Sequence, residues 1–196
     1  MRITAVRPLI TLVFLLAAGI CPAAAQQATP PPAASPGPQL KLMTPAFSDG
    51  GDIPVKYTCA AKPSAVSPAF QWTGAPKETA SFTLIFHDPD NHPNKGMFDV
   101  THWLLWNLPA TAAQLPEGVP ANAKLEDGAI QGKNVRGENA YRGPCPPPGK
   151  PHHYTFELYA LDQKLDLAPD ATRADLLKAM DGHIIAKAVY IGFFHQ

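Results

Sequence analysis

The strongest constraint on the fold is a set of four segments with the residue alternation of β-strands. Clusters of Pro, Gly, Asp and Asn, which favour turns, separate them. The four segments are residues 81–88, 101–108, 152–161 and 186–194. The chain holds 23 prolines and 14 glycines and shows little helical periodicity. This pattern predicts a mainly β protein with a loop-rich antiparallel sheet and disfavours a repeating strand–helix layout.

One segment near the C-terminus has helical spacing instead. Thr172 and Asp175 match a capping box, and Leu176 and Met180 lie about one turn apart. Gly182 then provides a stop signal. We therefore expect one or two short helices near the C-terminus, with this segment as the clearest.

The N-terminal residues have the layout of a secretory signal peptide. Two arginines precede an apolar run over residues 9–20, and Ala23, Ala24 and Ala25 follow. This layout predicts a signal over residues 1–25, cleaved before Gln26, and a periplasmic or secreted protein. A retained membrane anchor is the alternative, but the apolar run is short of the ~20 residues that a span needs.

Composition divides the rest of the chain and excludes one class of partner. Residues 26–39 are rich in Pro and Ala and are predicted to form a disordered tether before a domain over residues 40–196. The signal contains Arg2 and Arg7 but no acidic residue, so the mature part has 14 basic and 16 acidic residues and a net charge of −2. Without a basic excess, nucleic acid is not an expected partner.

Two cysteines remain after the predicted cleavage, Cys59 and Cys145. An even pair in an exported domain favours a disulfide. A metal site or a catalytic thiol is the alternative, although neither cysteine lies in a C-x-x-C motif. We expect the disulfide.

Alternation along the strands predicts that three polar side chains meet. Asp88 ends an apolar row in the first strand, whereas His102 and His152 begin apolar rows in the second and third. If these strands are antiparallel neighbours, the end of one lies beside the start of the next. Asp88, His102 and His152 would then converge at one rim of the core.

Three motifs in this order resemble the phosphatidylethanolamine-binding protein superfamily, in its bacterial Raf-kinase-inhibitor-like branch. They are DPD at residues 88–90, THWLLWN at 101–107 and YRGPCPPPGKPHHYTFELYALD at 141–162. The resemblance covers the chain from about Leu40 to its end and implies an antiparallel β-sandwich with an anion-binding pocket. The implied ligand-binding residues are Asp88, Asp90, His102, Gly143, Pro144, Pro146, His152 and Tyr154. One departure is the segment NHPNKGMFD at 91–99, where relatives usually have a shorter loop.

The proline-rich stretch within the third motif has a physical interpretation. Prolines fix φ and lack an N–H, so residues 143–147 are expected to form a stiff wall beside a small cavity. Gly143 and Gly149 would permit turns at its ends and let a ligand approach the backbone. The alternative is a proline-rich surface loop that binds no ligand.

The resulting functional hypothesis is a non-enzymatic binding protein without a cofactor. Its partner would be a small anion with a phosphate-like or carboxylate head group, or an acidic or phosphorylated protein segment. We expect neither nucleic acid nor a stable membrane span, and a homodimer is left open. His102 and His152, with ordinary pKa values near 6.5, would be partly protonated, so that affinity rises as pH falls. Asp88 would orient a histidine.

Three alternatives stay open at this stage. The first is an inhibitor of another enzyme, such as a protease or kinase. The second is metal binding by HDPDNH, which contains His87 and His92. The third is a hydrolase, although no G-x-S-x-G motif is present, and Pro89 makes a glycosidase-like pair of Asp88 and Asp90 improbable on one strand.

Overall fold

Two β-sheets packed against each other form the framework of the protein, whose computed structural model describes residues 39–92 and 95–196. The elements in chain order are β1 (Lys41–Met43), β2 (Gly51–Asp52), a 3-10 turn (Val55–Tyr57), β3 (Phe70–Thr73), β4 (Ser81–Asp88), β5 (Val100–Pro109), β6 (Gln114–Leu115), β7 (Ile130–Gln131), β8 (His152–Leu161), α1 (Arg173–Met180) and β9 (Ile184–Phe194). The mainly β fold class is thereby confirmed, and the described residues contain a single α-helix. The four predicted strands match β4, β5, β8 and β9 within two residues at each end.

The predicted signal peptide and nearly all of the predicted tether lie outside the described residues, so both stay predictions. Among residues 39–92 and 95–196, we find no helix with the length and apolarity that crossing a membrane requires.

The larger sheet places the predicted site strands side by side. Its six strands run in the order β2-β9-β8-β4-β5-β7, while β1, β3 and β6 form the smaller sheet. The central strand β4 pairs antiparallel with both β5 and β8. The end of β4 therefore lies beside the starts of β5 and β8, as the sequence predicted. The short β2 is parallel to β9, the one departure from antiparallel pairing in the described part.

The main core lies between the two sheets. Phe82, Leu84 and Phe86 alternate along β4 and are buried in this core. Aromatic rings join the sheets: the ring centroids of Phe70 and Phe156 are 4.7 Å apart, and those of Trp72 and Phe82 are 5.4 Å apart. A tilted aromatic core of this kind fixes the inner face of β4 and β8.

A second, smaller core covers the outer face of the larger sheet. Leu104 and Trp106 of β5 pack there with Leu176 and Met180 of α1. The predicted capping box is confirmed, because the Thr172 and Asp175 side chains each accept a hydrogen bond from the other residue's backbone N–H. The helix thus begins where its cap predicts and fixes the outer layer.

Two irregularities in the pairing of β4 with β5 change which face each β5 side chain takes. Phe86 pairs with Trp103, but His87 pairs with Thr101, so His102 is an extra residue in β5. This is the arrangement of a β-bulge, which re-aims a side chain. The bulge turns His102 toward the inner face, where its ring centroid lies 5.0 Å from that of Phe86.

Candidate ligand site at the rim of the sandwich

The centre of the candidate site is a buried carboxylate paired with a histidine. Asp88 ends β4 with its side chain only 3% exposed, and its Oδ2 lies 2.8 Å from Nδ1 of His152, the first residue of β8. The other oxygen, Oδ1, accepts a hydrogen bond from the backbone N–H of Asp90. Because a carboxylate accepts, Nδ1 of His152 donates, which fixes the ring and directs Nε2 away from Asp88. The predicted orienting role of Asp88 agrees with this geometry.

Asp90 lies beside this pair and is bonded to the next residue of β8. Its Oδ2 accepts hydrogen bonds from the backbone N–H and the ring Nδ1 of His153, at 2.6 and 2.8 Å. Burial acts to raise the pKa of Asp90, but the bonds and charge of His153 outweigh burial and lower it. Sequence reasoning assigned His153 no role. In the structure it anchors the loop that carries Asp90.

His102 is held by the segment that precedes the proline-rich wall. Its Nδ1 lies 2.9 Å from the carbonyl oxygen of Arg142, whose N–H bonds the carbonyl oxygen of His102 in return. The residue is 4% exposed, and burial lowers the pKa of His102 to about 4, despite the opposing effects of the Arg142 carbonyl and the Asp88 charge. The prediction that His102 is partly protonated near neutral pH is therefore wrong, because a buried imidazolium would lose its hydration.

Tyr154 supplies a buried hydroxyl to the same region. The side chain is fully buried, and its hydroxyl lies near the Asp88 carboxylate and the Cys145 backbone without a hydrogen bond of normal geometry to any described residue. Burial, followed by the negative charge of Asp88, raises the pKa of Tyr154, while the backbone of Cys145 acts in the opposite direction. A neutral phenol is both donor and acceptor. An unpaired buried hydroxyl is costly, so a ligand that hydrogen-bonds to it would gain affinity.

The predicted wall is fixed to a distant part of the chain. The Cys59–Cys145 disulfide is confirmed, and the N–H of Cys59 donates to the carbonyl oxygen of Pro144 at 3.0 Å. A side chain at Gly143 would have its Cβ 2.6 Å from the carbonyl oxygen of Tyr57. Gly143 is therefore required for packing against the 3-10 turn, and its predicted role in the approach of a ligand stays a prediction. Pro144 and Pro146 are both buried.

The disulfide also decides one alternative. Because Cys145 is bonded to Cys59, its sulfur is not a free nucleophile in this structure. The interpretation of Cys145 as a catalytic thiol is wrong.

The metal hypothesis based on HDPDNH does not match the arrangement of its histidines. His87 points to the opposite face of the sheet, and His92 is exposed. A different set, Asp88, Asp90 and His152, has potential ligand atoms within 4.8 Å of one another. Both carboxylates already accept hydrogen bonds, from His152 and His153 respectively, and we assign no metal to them.

The outer face carries a charge network that sequence reasoning missed. Nδ1 of His87 lies 2.7 Å from Oδ2 of Asp99, and Oδ1 of Asp99 is paired with Arg173 at the start of α1. Burial acts to raise the pKa of Asp99, but the bond from His87 and the charges of His87 and Arg173 lower it. Through Arg173, the network joins Asp99 to the start of α1. Its members lie far apart in sequence and carry no motif.

A surface cavity lies beside His153, on the face of β8 opposite to His152 and Tyr154. It has a volume of about 350 Å³ and is lined by Asp49, Gly50, His153, Ile191 and Phe193. The ring of His153, which bonds Asp90, lies over Phe193 with centroids 4.6 Å apart.

Comparison with known proteins identifies the class to which this fold and site belong. The family model for phosphatidylethanolamine-binding protein matches residues 43–195. The chain belongs to this family, which confirms the resemblance seen in the sequence motifs.

Relatives and solved structures agree with this assignment. A protein of the UPF0098 group from Methanothermobacter thermautotrophicus is 45% identical over 157 residues, covering 80% of this chain and 99% of the relative. A phosphatidylethanolamine-binding protein homologue from Chlamydia trachomatis has 37% identity and a TM-score of 0.72, covering 82% of this chain and 99% of that one. Escherichia coli YbcL, described as a member of the mammalian PEBP family, has 28% identity and a TM-score of 0.72, with coverage of 81% and 99%.

Proposed function

We propose that this chain is an exported, non-enzymatic binding protein whose rim site takes a small anion with a phosphate-like or carboxylate head group. The observation that carries the proposal is the buried Tyr154 hydroxyl, which forms no hydrogen bond of normal geometry within the described part of the chain. Its ring lies 6.4 Å, between centroids, from that of His152, which Asp88 holds in place. Buried polar groups are nearly always hydrogen-bonded, so an unpaired one at a rim favours a ligand. The family name, which describes binding, supports the same class of function.

The site offers donors without an obvious reacting group. The Tyr154 hydroxyl is a neutral donor, and His152 can donate from Nε2 when protonated. Each oxygen of the Asp88 carboxylate already accepts a hydrogen bond, one from the Asp90 N–H and one from His152. Because the group is also negatively charged, it positions the site and does not contact the most negative ligand oxygens. These donors suit a head group that presents one or two acceptor oxygens to them, whether the anion is free or part of a phosphorylated protein segment.

Calorimetric titration with inorganic phosphate and phosphoethanolamine tests the proposal. His152→Ala should lower affinity roughly tenfold to a hundredfold, the effect of losing one charge-assisted hydrogen bond. His183→Ala is the matched control. His183 is paired with Asp162, which follows the end of β8 that is distant from His152, so it lies away from the site residues. Absence of binding to the wild type, or equal affinity in both variants, would contradict an anion site at this rim.

Export has a separate test. An oxidised Cys59–Cys145 pair suits an oxidising compartment and supports the proposal. Mass measurement of protein recovered from its own cells should give a mature chain that begins at or near Gln26. A chain that retains residues 1–25 would contradict the predicted cleavage.

A further inference from the structure

The proton on His102 is located by geometry. Nδ1 faces the carbonyl oxygen of Arg142 at 2.9 Å, and a carbonyl oxygen can only accept. Nδ1 therefore carries the hydrogen. A neutral imidazole has one N–H, so the opposite nitrogen, Nε2, presents a lone pair. Nε2 has no hydrogen-bond partner among the described residues.

The surroundings keep the ring neutral. From β4, Phe86 contacts the ring and Asp88 contributes a negative charge. From β8, the ring of Tyr154 lies 5.4 Å away in a T-shaped arrangement. From the segment that precedes the wall, Arg142 supplies its backbone carbonyl oxygen. The positive charges of Arg142 and His87 oppose protonation of the His102 ring. With the ring 4% exposed, the lone pair at Nε2 is retained at neutral pH.

We propose that Nε2 of His102 accepts a hydrogen bond from the ligand's own proton, so that the site selects the singly protonated form of a phosphate monoester over its dianion. The inference rests on the proposed anion site and names the form of ligand that the site takes. A fully deprotonated oxygen placed there would face a lone pair instead of a donor. Asp88 and Asp90, both close to the site, disfavour a second negative charge on the ligand.

A pair of esters with equal charge tests this. The second pKa of a phosphate monoester is about 6, so at about pH 5.5 methyl phosphate is mainly a monoanion with one O–H. Methyl sulfate has the same shape and charge but no proton to donate. In calorimetric titrations at about pH 5.5, wild-type protein should bind methyl phosphate roughly tenfold more tightly than methyl sulfate, the effect of one hydrogen bond.

The pH dependence separates ligand protonation from histidine protonation. From about pH 5.5 to about pH 8 the advantage of methyl phosphate over methyl sulfate should shrink steadily, because its protonated form disappears. A change in the charge of the protein itself would alter the affinities of both esters together and leave their ratio constant. Near pH 7, heats measured in buffers of different ionisation enthalpy should show proton uptake with methyl phosphate in excess of that with methyl sulfate.

Two variants locate the effect. His102→Gln should bring the ratio of the two affinities close to one, because a rotating amide can either donate or accept. Tyr154→Phe removes a donor that serves both esters, so it should lower both affinities and preserve the ratio. Thermal unfolding shows whether each variant is folded, and the ester comparison on the wild type stands without either.

Each outcome has one meaning. If neither ester binds, the proposed anion site fails. If both bind equally at about pH 5.5 with the same pH dependence, the anion site stands, and the selection of a protonated ligand is overturned. A ratio that survives His102→Gln would also overturn the role of His102.

Discussion

His87 and Asp88 are neighbours in β4, yet they belong to two very different polar regions. His87 points to the outer face of the larger sheet, between Asp99 and Glu157. Asp88 points to the inner rim beside His152. The alternation of a strand separates two titratable side chains that follow each other in sequence, and each joins a different set of partners.

The outer region has its charges matched. Arg173 and His87 pair with Asp99, and Glu157 accepts hydrogen bonds from Lys187 and from the hydroxyl of Tyr159. Burial acts to raise the pKa of Glu157, but the bonds from Lys187 and Tyr159 lower it. Two buried atoms of this region, Nε2 of His87 and Nε of Arg173, lack a hydrogen-bond partner among the described residues, but both side chains lie beside acidic groups. The ion pairs therefore hold Asp99 and α1 against the sheet.

The inner rim is unbalanced in its hydrogen bonding. Among the described residues, the buried Tyr154 hydroxyl has no hydrogen bond of normal geometry, and Nε2 of His102 receives none, while Nδ1 of His102 donates to the Arg142 carbonyl oxygen. Because both regions contain buried charge, buried charge alone does not identify a binding site. The distinguishing property of the rim is that its atoms without a partner belong to the neutral side chains of Tyr154 and His102, whereas those of the outer region belong to members of ion pairs.

The largest expected effect is the loss of the buried anion in the outer region. Asp99→Ala leaves Arg173 and His87 without their partner. Breaking a fully buried pair costs about 3 to 5 kcal/mol, and because these side chains keep 10 to 13% exposure, the free energy of unfolding should fall by up to that amount. Urea denaturation measures the change. Asp162→Ala, which removes an exposed carboxylate paired with His183, is the matched control and should change stability little. A comparable loss of phosphate affinity in Asp99→Ala would break the separation of the two regions.

Removing the disulfide should have the next largest effect. The bond joins residues 86 positions apart, and its loss is expected to cost about 2 to 5 kcal/mol. The double variant Cys59→Ala/Cys145→Ala avoids a free thiol. Because this bond holds the wall, anion affinity should fall together with thermal stability, and an unchanged affinity would show that the wall does not depend on the bond.

The buried neutral His102 should make stability depend on pH. The pKa of His102 is about 4 in the folded protein, against an ordinary value of 6.5 that applies in the unfolded chain. Between these two pH values the unfolded chain binds a proton that the folded protein does not. The free energy of unfolding should therefore decrease as pH falls from 6.5 toward 4, by roughly 1 kcal/mol per pH unit at the steepest point.

Urea denaturation over that range, compared with His102→Asn, isolates this contribution. The variant should show a weaker pH dependence in the same window. Asp90, Asp99 and Glu157 have lowered pKa values, so their stabilisation is lost as pH falls below the ordinary values of 3.8 for Asp and 4.5 for Glu, which is at the low end of this window and beyond it. Equal slopes for wild type and variant would show that His102 is not the responsible group.

The smallest effect is expected at the edge of the outer region. The ammonium group of Lys187 bonds Glu157, but its side chain is 42% exposed. Exposed pairs contribute about 0.2 to 1 kcal/mol, so Lys187→Ala should lower stability by no more than that. Raised salt should reduce the difference further. A loss as large as that of Asp99→Ala would mean that exposure does not rank the charges of this region.

The faces of β4 and β8 could be predicted from alternation alone, because both strands are regular near the site. Asp88 and His152 meet as expected for that reason. For β5 the same rule grouped His102 with Leu104 and Trp106, which in fact pack on the outer face against α1. His102 still reaches the inner rim, because the bulge shifts it by one position. The prediction was correct for His102 although its reasoning was not.

A bulge could not be predicted from β5 alone, since it is a property of how two strands pair. The other irregularity lies where Phe82 pairs with Leu108 but Leu84 pairs with Leu105, and there one local signal existed in the sequence. Asn107 has a φ of 59°, a conformation that Asn tolerates better than most residues, and its amide exchanges two hydrogen bonds with the backbone of Leu165. The pairing of His153 with Asp90 and of Arg173 with Asp99 had no comparable signal, because it depends on three-dimensional proximity.

The bond from His102 to Arg142 has a consequence for how this site can change over time. The partner that fixes the imidazole tautomer is a main-chain carbonyl, which every amino acid possesses. Substitution of the side chain at 142 therefore leaves the hydrogen-bonding character of His102 intact, and only proline there would remove the N–H that returns the bond. The chemistry at this position is encoded in the path of the backbone, so residue 142 is free to change in sequence while the site retains its preference.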